Sequence, residues 1–238
     1  MTEKEFIDQC VEAINTPEAA KRREEADRRF IQSVLDDIYD SDMVVADDDE
    51  DEISPNAFRG NTDLTSINIP DTIKSIGWNA FEGCIRLTSI IIPDSVKRMS
   101  DMVFAGCVNL KNVILSESLD RIGSHTFYGC KSMKNIIIPK RVKDIGSHAF
   151  MECTGLTQVT IPEGVQHIHS GAFSGCVNLI SISLPKSIRT LDSNRAGVFE
   201  GCENLKEIIV PVGHKQRIAD LFEEKDAMYK PLLIERQY

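Results

Sequence analysis

The sequence predicts a repeat solenoid, in which copies of one short unit stack as coils of mainly parallel β-structure joined by short helical turns. Phenylalanine recurs every 23 residues and then once after 26, and cysteine follows in step from the second repeat onward. A fixed period of this length is typical of units that cannot bury their own apolar side chains and therefore share one core by stacking. The recurring phenylalanines are Phe58, Phe81, Phe104, Phe127, Phe150, Phe173 and Phe199.

Each of the seven repeats also contains a predicted strand with one buried side. Two apolar residues, most of them β-branched, stand two positions apart after the cysteine, and this alternation is typical of a strand with one face covered. A proline usually follows, where an extended strand stops donating ladder hydrogen bonds. We expect the phenylalanines and these pairs to line the interior. The pairs are Ile67 and Ile69, Ile90 and Ile92, Val113 and Leu115, Ile136 and Ile138, Val159 and Ile161, Ile182 and Leu184, and Ile208 and Val210.

The repeat cysteines predict a column of buried, reduced thiols. None of them shows the C-x-x-C spacing of a metal or redox site. Neighbouring thiols would be close enough for a disulfide, but side chains that point in parallel seldom reach the dihedral angle that a disulfide needs. The six residues are Cys84, Cys107, Cys130, Cys153, Cys176 and Cys202.

Further segments are expected on both sides of the seven repeats, which occupy residues 56–211. Residues 1–40 predict a helical extension of two helices, because they contain a capping box and two apolar stripes with helical spacing. Residues 212–238 leave the repeat pattern, and they predict a C-terminal cap made of a helix and a last strand, since a solenoid otherwise exposes its core at the end.

Residues 41–55 leave two alternatives open. A degenerate capping coil is one of them, because three apolar residues lie 23 positions before interior positions of the first repeat. A solvated linker is the other, because runs of like charge usually stay in water. The three apolar residues are Val44, Ala46 and Ile53, and the acidic run covers Asp47 to Glu52.

The charge is concentrated at the N-terminus. Residues 1–52 hold 18 acidic and 6 basic side chains, whereas residues 53–238 hold 19 acidic and 21 basic ones. Such a chain repels a phosphate backbone, so we expect no nucleic-acid partner. No apolar run approaches the length of a membrane span, so a membrane-spanning role is not expected. The sequence as it stands begins without a secretory signal, which favours a cytoplasmic location, with the cell surface or secretion as the alternative if the start has been trimmed.

The stretch from Asn79 to Pro93, NAFEGCIRLTSIIIP, resembles the BspA-like leucine-rich repeat, and the resemblance extends over residues 56 to about 211. It implies a right-handed leucine-rich-repeat superhelix with a parallel sheet on its concave inner face. It also implies a bacterial protein, and many proteins of this family are surface proteins implicated in adhesion. A cell-surface adhesin is therefore one alternative function.

Catalytic and cofactor chemistry find little support in the sequence. It contains no nucleophile elbow and no glycine-rich phosphate loop. His125 and His148 share one repeat position, and His167 and His169 follow in the next repeat, but no carboxylate accompanies them at a regular ligand spacing. We expect no enzyme, no metal and no cofactor, and a metal-dependent or other enzyme is the second alternative function.

The outward side of the predicted strands is the candidate binding surface. Three successive repeats place isoleucine at one outward position, and amide and lysine side chains stand beside it. An apolar strip with such a rim is typical of protein-binding patches, although isoleucine also simply suits strands. The sequence therefore predicts a non-catalytic scaffold for an unknown protein partner, and the lysines favour an acidic partner or the acidic N-terminal segment of the chain itself. The candidate residues are Ile91, Ile114, Ile137, Asn112, Asn135, Lys111 and Lys134.

Overall fold

The computed structural model of the chain describes residues 44–45 and 51–237, which form a β-solenoid of about eight turns. Every strand pair in these residues is parallel. The helices predicted within residues 1–40 and the acidic residues 46–50 lie outside the described part. The strands are β1 Val44–Val45, β2 Glu52–Ile53, β3 Ile67–Asn68, β4 Ser75–Ile76, β5 Ser89–Ile91, β6 Arg98–Met99, β7 Asn112–Ile114, β8 Arg121–Ile122, β9 Asp144–Ile145, β10 Gln158–Thr160, β11 His167–Ile168, β12 Ser181–Ser183, β13 Thr190–Leu191, β14 Glu207–Pro211 and β15 Leu233–Arg236.

The strands form two rows along the solenoid. The first row contains the predicted strands, and it is divided into the sheets β1-β3, β5-β7 and β10-β12-β14-β15. A second row is divided into β2-β4-β6 and β8-β9-β11-β13. Its strands contain the apolar residue that comes after the turn following each apolar pair, and they were not predicted. Up to β13, paired residues are 23 positions apart, as in Val44 with Ile67 and Ile53 with Ile76.

One predicted strand is wrong. Residues 134–138 contain no strand, although the flanking repeats contribute β7 and β10 to the first row. The apolar pair of this repeat is nevertheless buried, with Ile136 6% and Ile138 4% exposed. The alternating pattern reports which side chains are covered and does not report which backbone groups form a ladder, so it predicted the burial without the pairing.

The interior is organised around a continuous stack of phenylalanine rings. Successive rings from Phe58 to Phe173 lie 5.2 to 5.5 Å apart, centroid to centroid, with planes within 12° of parallel. The six rings from Phe81 onward are fully buried. Phe222 stacks on Phe199 at 6.2 Å, and Tyr229 meets the same ring edge-on at 5.8 Å. The predicted interior column is confirmed, and aromatic side chains of the C-terminal segment close it.

The turn that carries each phenylalanine forms a ridge along the solenoid, with backbone N–H groups that point toward the following coil. The N–H of Phe81 donates to the carbonyl of Val103 at 2.9 Å, and the N–H of Gly83 donates to that of Ala105 at 2.8 Å. In the first six repeats this turn begins with a residue in the left-handed region, which is Asn, Met or His in the first five. Gly171 takes this place in the sixth, where a Cβ would lie 2.6 Å from Cδ2 of His148.

The C-terminal end of the ridge is closed by Asp226, which is fully buried. Its carboxylate accepts hydrogen bonds from the N–H groups of Val198 at 2.7 Å and Phe199 at 3.3 Å, and from the hydroxyl of Ser193. Tyr229 donates to the carbonyl of Phe199 at 2.6 Å. Asp226 and Tyr229 lie in the 3-10 helix Glu224–Leu232, which follows the short helix α1, Lys215–Ala219.

The three residues added to the sixth repeat serve this closure. The loop between β13 and the next repeat contains Ser193, and two of its carbonyls, at Asn194 and Arg195, accept hydrogen bonds from the ammonium group of Lys225 at 3.1 and 2.8 Å. The insertion therefore contacts the C-terminal segment of the same chain.

The six repeat cysteines are buried and free. Each thiol donates to the carbonyl of a phenylalanine in the preceding coil, as Cys107 does to Phe81 at 3.0 Å. Burial raises the thiol pKa values, to about 11 for Cys84 and about 12 for Cys202. The reactive thiolate is consequently scarce at neutral pH.

We therefore expect the repeat thiols to react with an alkylating reagent at pH 8 at least about a hundredfold more slowly in the native chain than in urea. Cys10, which lies outside the described residues, is replaced by serine for this measurement. Mass spectrometry then counts the alkylated cysteines over time. Native alkylation at the rate of the unfolded chain would show that these thiols are not held in the core.

Candidate functional site

The candidate site is the outward side of the first strand row, which we call the isoleucine face after Ile91, Ile114 and Ile137. In-register pairing of β5 with β7 places Ile91 directly beside Ile114. Ile137 continues the line through the segment that forms no strand, between the buried Ile136 and Ile138. All three side chains are half-buried, so they are less exposed than we expected from the sequence.

Lysine side chains border this line. Lys111 and Lys134 are exposed, as is Lys206 farther along the same column. None of the three forms an ion pair with another residue in the described part of the chain. Glu207, which follows Lys206 in the sequence, forms an ion pair with Arg236 at 3.1 Å instead. The rim therefore presents cations that are available to a ligand.

The amides lie between the lysines and the isoleucines. Asn112 is half-buried, and its Nδ2 donates to the hydroxyl of Ser89 at 3.4 Å. Asn135 is exposed. The structure thus places Ile91 beside Ile114 and leaves Lys111, Lys134 and Asn135 exposed, while the role of the seven residues in binding stays a prediction.

Sequence reasoning did not single out Ile180, which extends this surface. It occupies the lysine column one coil beyond Thr157, and it is 43% exposed. An apolar residue in a column of threonine and lysine was the signal that could have identified it. Toward the C-terminus, the isoleucine column ends in Ser183 and Ile209, which are 7% and 9% exposed, so the accessible apolar line is confined to the middle coils.

The histidines form two separate contacts. His125 stacks on His148 with ring centroids 4.8 Å apart, and burial, assisted by His148, lowers the pKa of His125. His169 lies between Asp144 and Asp192, with nitrogen–oxygen distances of 3.8 and 3.9 Å. Across residues 44–45 and 51–237, no group of three or more histidine, cysteine or acidic side chains is arranged to hold a metal.

The described helices are too short and too polar for any of them to cross a membrane.

Comparison with known proteins gives a family match along most of the chain. The family model of the BspA type leucine rich repeat region matches residues 51–147 and 120–228, in six copies. Among proteins with curated functions, no match is found.

Two crystal structures show the same fold. The leucine rich repeat protein of T. pallidum is 26% identical with a TM-score of 0.51, and the match covers 78% of this chain and 85% of that one. A leucine rich cell surface protein of Faecalibacterium prausnitzii is 20% identical with a TM-score of 0.53, and the match covers 76% of this chain and 62% of that one. The predicted repeat family is confirmed, and the expected cytoplasmic location receives no support from these matches.

Proposed function

Because the chain belongs to the family of BspA-type leucine-rich repeat proteins, we propose that it is a non-catalytic scaffold that binds a protein partner through its isoleucine face. Family and fold neighbours are typically non-enzymatic scaffolds. A fold of this kind supports many functions, so the proposal depends on the surface itself. The observation that supports the proposal is a line of half-buried isoleucines bordered by lysines. These lysines form no ion pair with an acidic residue in the described part of the chain.

The chemistry of this face suits a polypeptide ligand. An apolar strip contributes affinity when a partner removes it from water, and a polar rim provides orientation through hydrogen bonds and charge. Rigid strands hold Ile91 and Ile114 side by side, so little side-chain order has to be created on binding.

Replacing Ile114 by glutamate is expected to weaken partner binding by about thirtyfold, since a central apolar contact is typically worth about 2 kcal/mol. The matched control is Ile85→Glu, because Ile85 is 42% exposed but stands outside the isoleucine face. Partners captured by the wild-type chain from cells of its source organism are identified by mass spectrometry, and their affinities are then measured with purified components. Equal affinities for wild type, Ile114→Glu and Ile85→Glu would exclude the isoleucine face as the binding surface.

Location is tested separately, because the same face could serve inside the cell or on its surface. Fractionation of source cells, followed by protease treatment of intact cells, shows whether the chain is accessible from outside. Protection from the protease in intact cells would support the cytoplasmic scaffold, and cleavage would support an adhesin.

A further inference from the structure

The accessible apolar line of the isoleucine face runs across the strands, from coil to coil. Ile91 and Ile114 are partners in the register of β5 and β7, and Ile137 follows one coil later at the same 23-residue spacing. Neighbouring strands lie about 4.8 Å apart, so the three side chains occur at intervals of about 4.8 Å over about 10 Å. A partner that covers all three has to present one apolar side chain per coil.

This interval distinguishes between the two regular conformations of a polypeptide ligand. In an α-helix, side chains at positions i, i+3 and i+7 share one face, and the second and third lie about 4.5 and 10.5 Å along the axis from the first. In an extended chain, side chains on one face recur about every 6.7 Å, so the third lies about 13 Å from the first. A helix along the solenoid axis therefore stays in step with the coils, and an extended chain does not.

The charge beside the apolar line specifies the polar residues of such a helix. Lys111 and Lys134 are exposed, and neither forms an ion pair in the described part of the chain. Residues 109–115 and 132–138, which contain these lysines, include no acidic residue. Carboxylates one helical turn apart are separated by about 5.4 Å, which is close to the separation of the two lysines in adjacent coils. A helix with acidic residues beside its apolar stripe is thus complementary to this face.

We propose that the isoleucine face is a binding site for an acidic amphipathic helix of about two to three turns, which lies along the solenoid axis. The apolar stripe of the helix covers Ile91, Ile114 and Ile137. Aspartate or glutamate residues at one border of the stripe pair with Lys111 and Lys134. This inference rests on the proposed function, because it specifies the partner of the same face.

The ligand class is tested by selection against the full chain from a displayed library of random peptides of about 16 residues, which is long enough for about four helical turns. Counter-selection against Ile114→Glu removes peptides that bind elsewhere. We expect the recovered peptides to carry apolar residues at i, i+3 or i+4, and i+7, with acidic residues beside this stripe. Apolar residues at alternate positions, no excess of acidic over basic residues, or no peptide that prefers the wild type would overturn the proposal.

The bound conformation is tested with proline substitutions in the tightest of these peptides, with affinities measured by fluorescence anisotropy. Proline at a polar position in the middle should weaken binding by about a hundredfold, because it breaks the helix. The matched control places proline at the first helical position, where affinity should change by no more than about twofold. Equal affinities of the two proline peptides would exclude a bound helix.

The charge contacts are tested with the same peptide and the double variant Lys111→Glu, Lys134→Glu. We expect binding to weaken by about tenfold, since two attractive exposed pairs become repulsive. The matched control Lys97→Glu, Lys143→Glu makes the same change in net charge at exposed lysines beside the second strand row. Similar losses in both double variants would show an effect of net charge alone and would contradict the proposed contacts.

This inference and the proposed function can fail separately. If Ile114→Glu weakens binding of the cellular partner while the recovered peptides are neither helical nor acidic, the binding function stands and the helix site fails. If acidic helices bind as expected while Ile114→Glu leaves the affinity for the cellular partner unchanged, the helix site stands and the proposed function fails.

Discussion

Replacing Phe127 by alanine is expected to destabilise the chain by about 3–5 kcal/mol, because the change removes a fully buried ring and leaves a cavity. Phe127 lies 5.5 Å from the ring of Phe104 and 5.3 Å from that of Phe150, so contacts on both sides are lost. In a solenoid each coil is stabilised by its two neighbours, and a defect in the middle therefore weakens both halves.

The matched control is the same substitution at the end of the stack. Phe58 is only half-buried, and its ring stacks on one partner, Phe81, at 5.2 Å. Phe58→Ala should therefore lower the free energy of unfolding by well under half as much as Phe127→Ala does. Urea denaturation followed by far-UV circular dichroism gives both free energies of unfolding. Losses within about 1 kcal/mol of each other would contradict the stacked core, since the method resolves differences of that size.

Replacing Asp226 by alanine is expected to destabilise the chain by about 3 kcal/mol or more, because buried backbone donors lose their acceptor and each costs about 1–3 kcal/mol when left unsatisfied. In the sixth repeat, the N–H of Phe173 donates to the carbonyl of Val198 in the following coil. The N–H of Phe199 has the equivalent position in the last coil, and the carboxylate of Asp226 accepts its hydrogen bond instead.

Asp220 offers a control in the same C-terminal segment. Its carboxylate is exposed and accepts one side-chain hydrogen bond, from Gln216 at 2.8 Å, so Asp220→Ala should change stability by no more than about 0.5 kcal/mol. Hydrogen exchange of the full chain localises the effect, with faster exchange expected at Val198 and Phe199 in Asp226→Ala. Protection of those two amides at the wild-type level in this variant would refute the role of the carboxylate.

The architecture could be predicted because the same residues recur at one spacing. Phe81, Cys84 and Ile90 have equivalents in almost every repeat, and these are buried as the columns predict, except for the half-buried Phe58 at the end of the stack. The second strand row escaped prediction because its strands are two residues long, which is too short for an alternating pattern to develop.

Features that occur once could not be predicted in this way. Asp226 stands outside the repeats, and in the sequence it looks like any acidic residue of a polar helix. Its role arises from contacts with Ser193 and Val198, which are 33 and 28 residues away. The isoleucine face was predicted only in part. Periodicity predicted that Ile91 and Ile114 lie side by side, but it did not predict that both are half-buried.

The single direction of the ridge hydrogen bonds makes the C-terminal end of the solenoid resemble the first turn of an α-helix. Such a turn presents N–H groups that nothing in the helix accepts, and a short acidic side chain commonly serves as its N-cap. Asp226 performs the same task for an entire stack of coils. Because the N–H of Phe199 repeats the donor that every earlier phenylalanine offers to its next coil, a chain of this design can grow or shrink by whole 23-residue units placed before the last coils, while it keeps the same terminus.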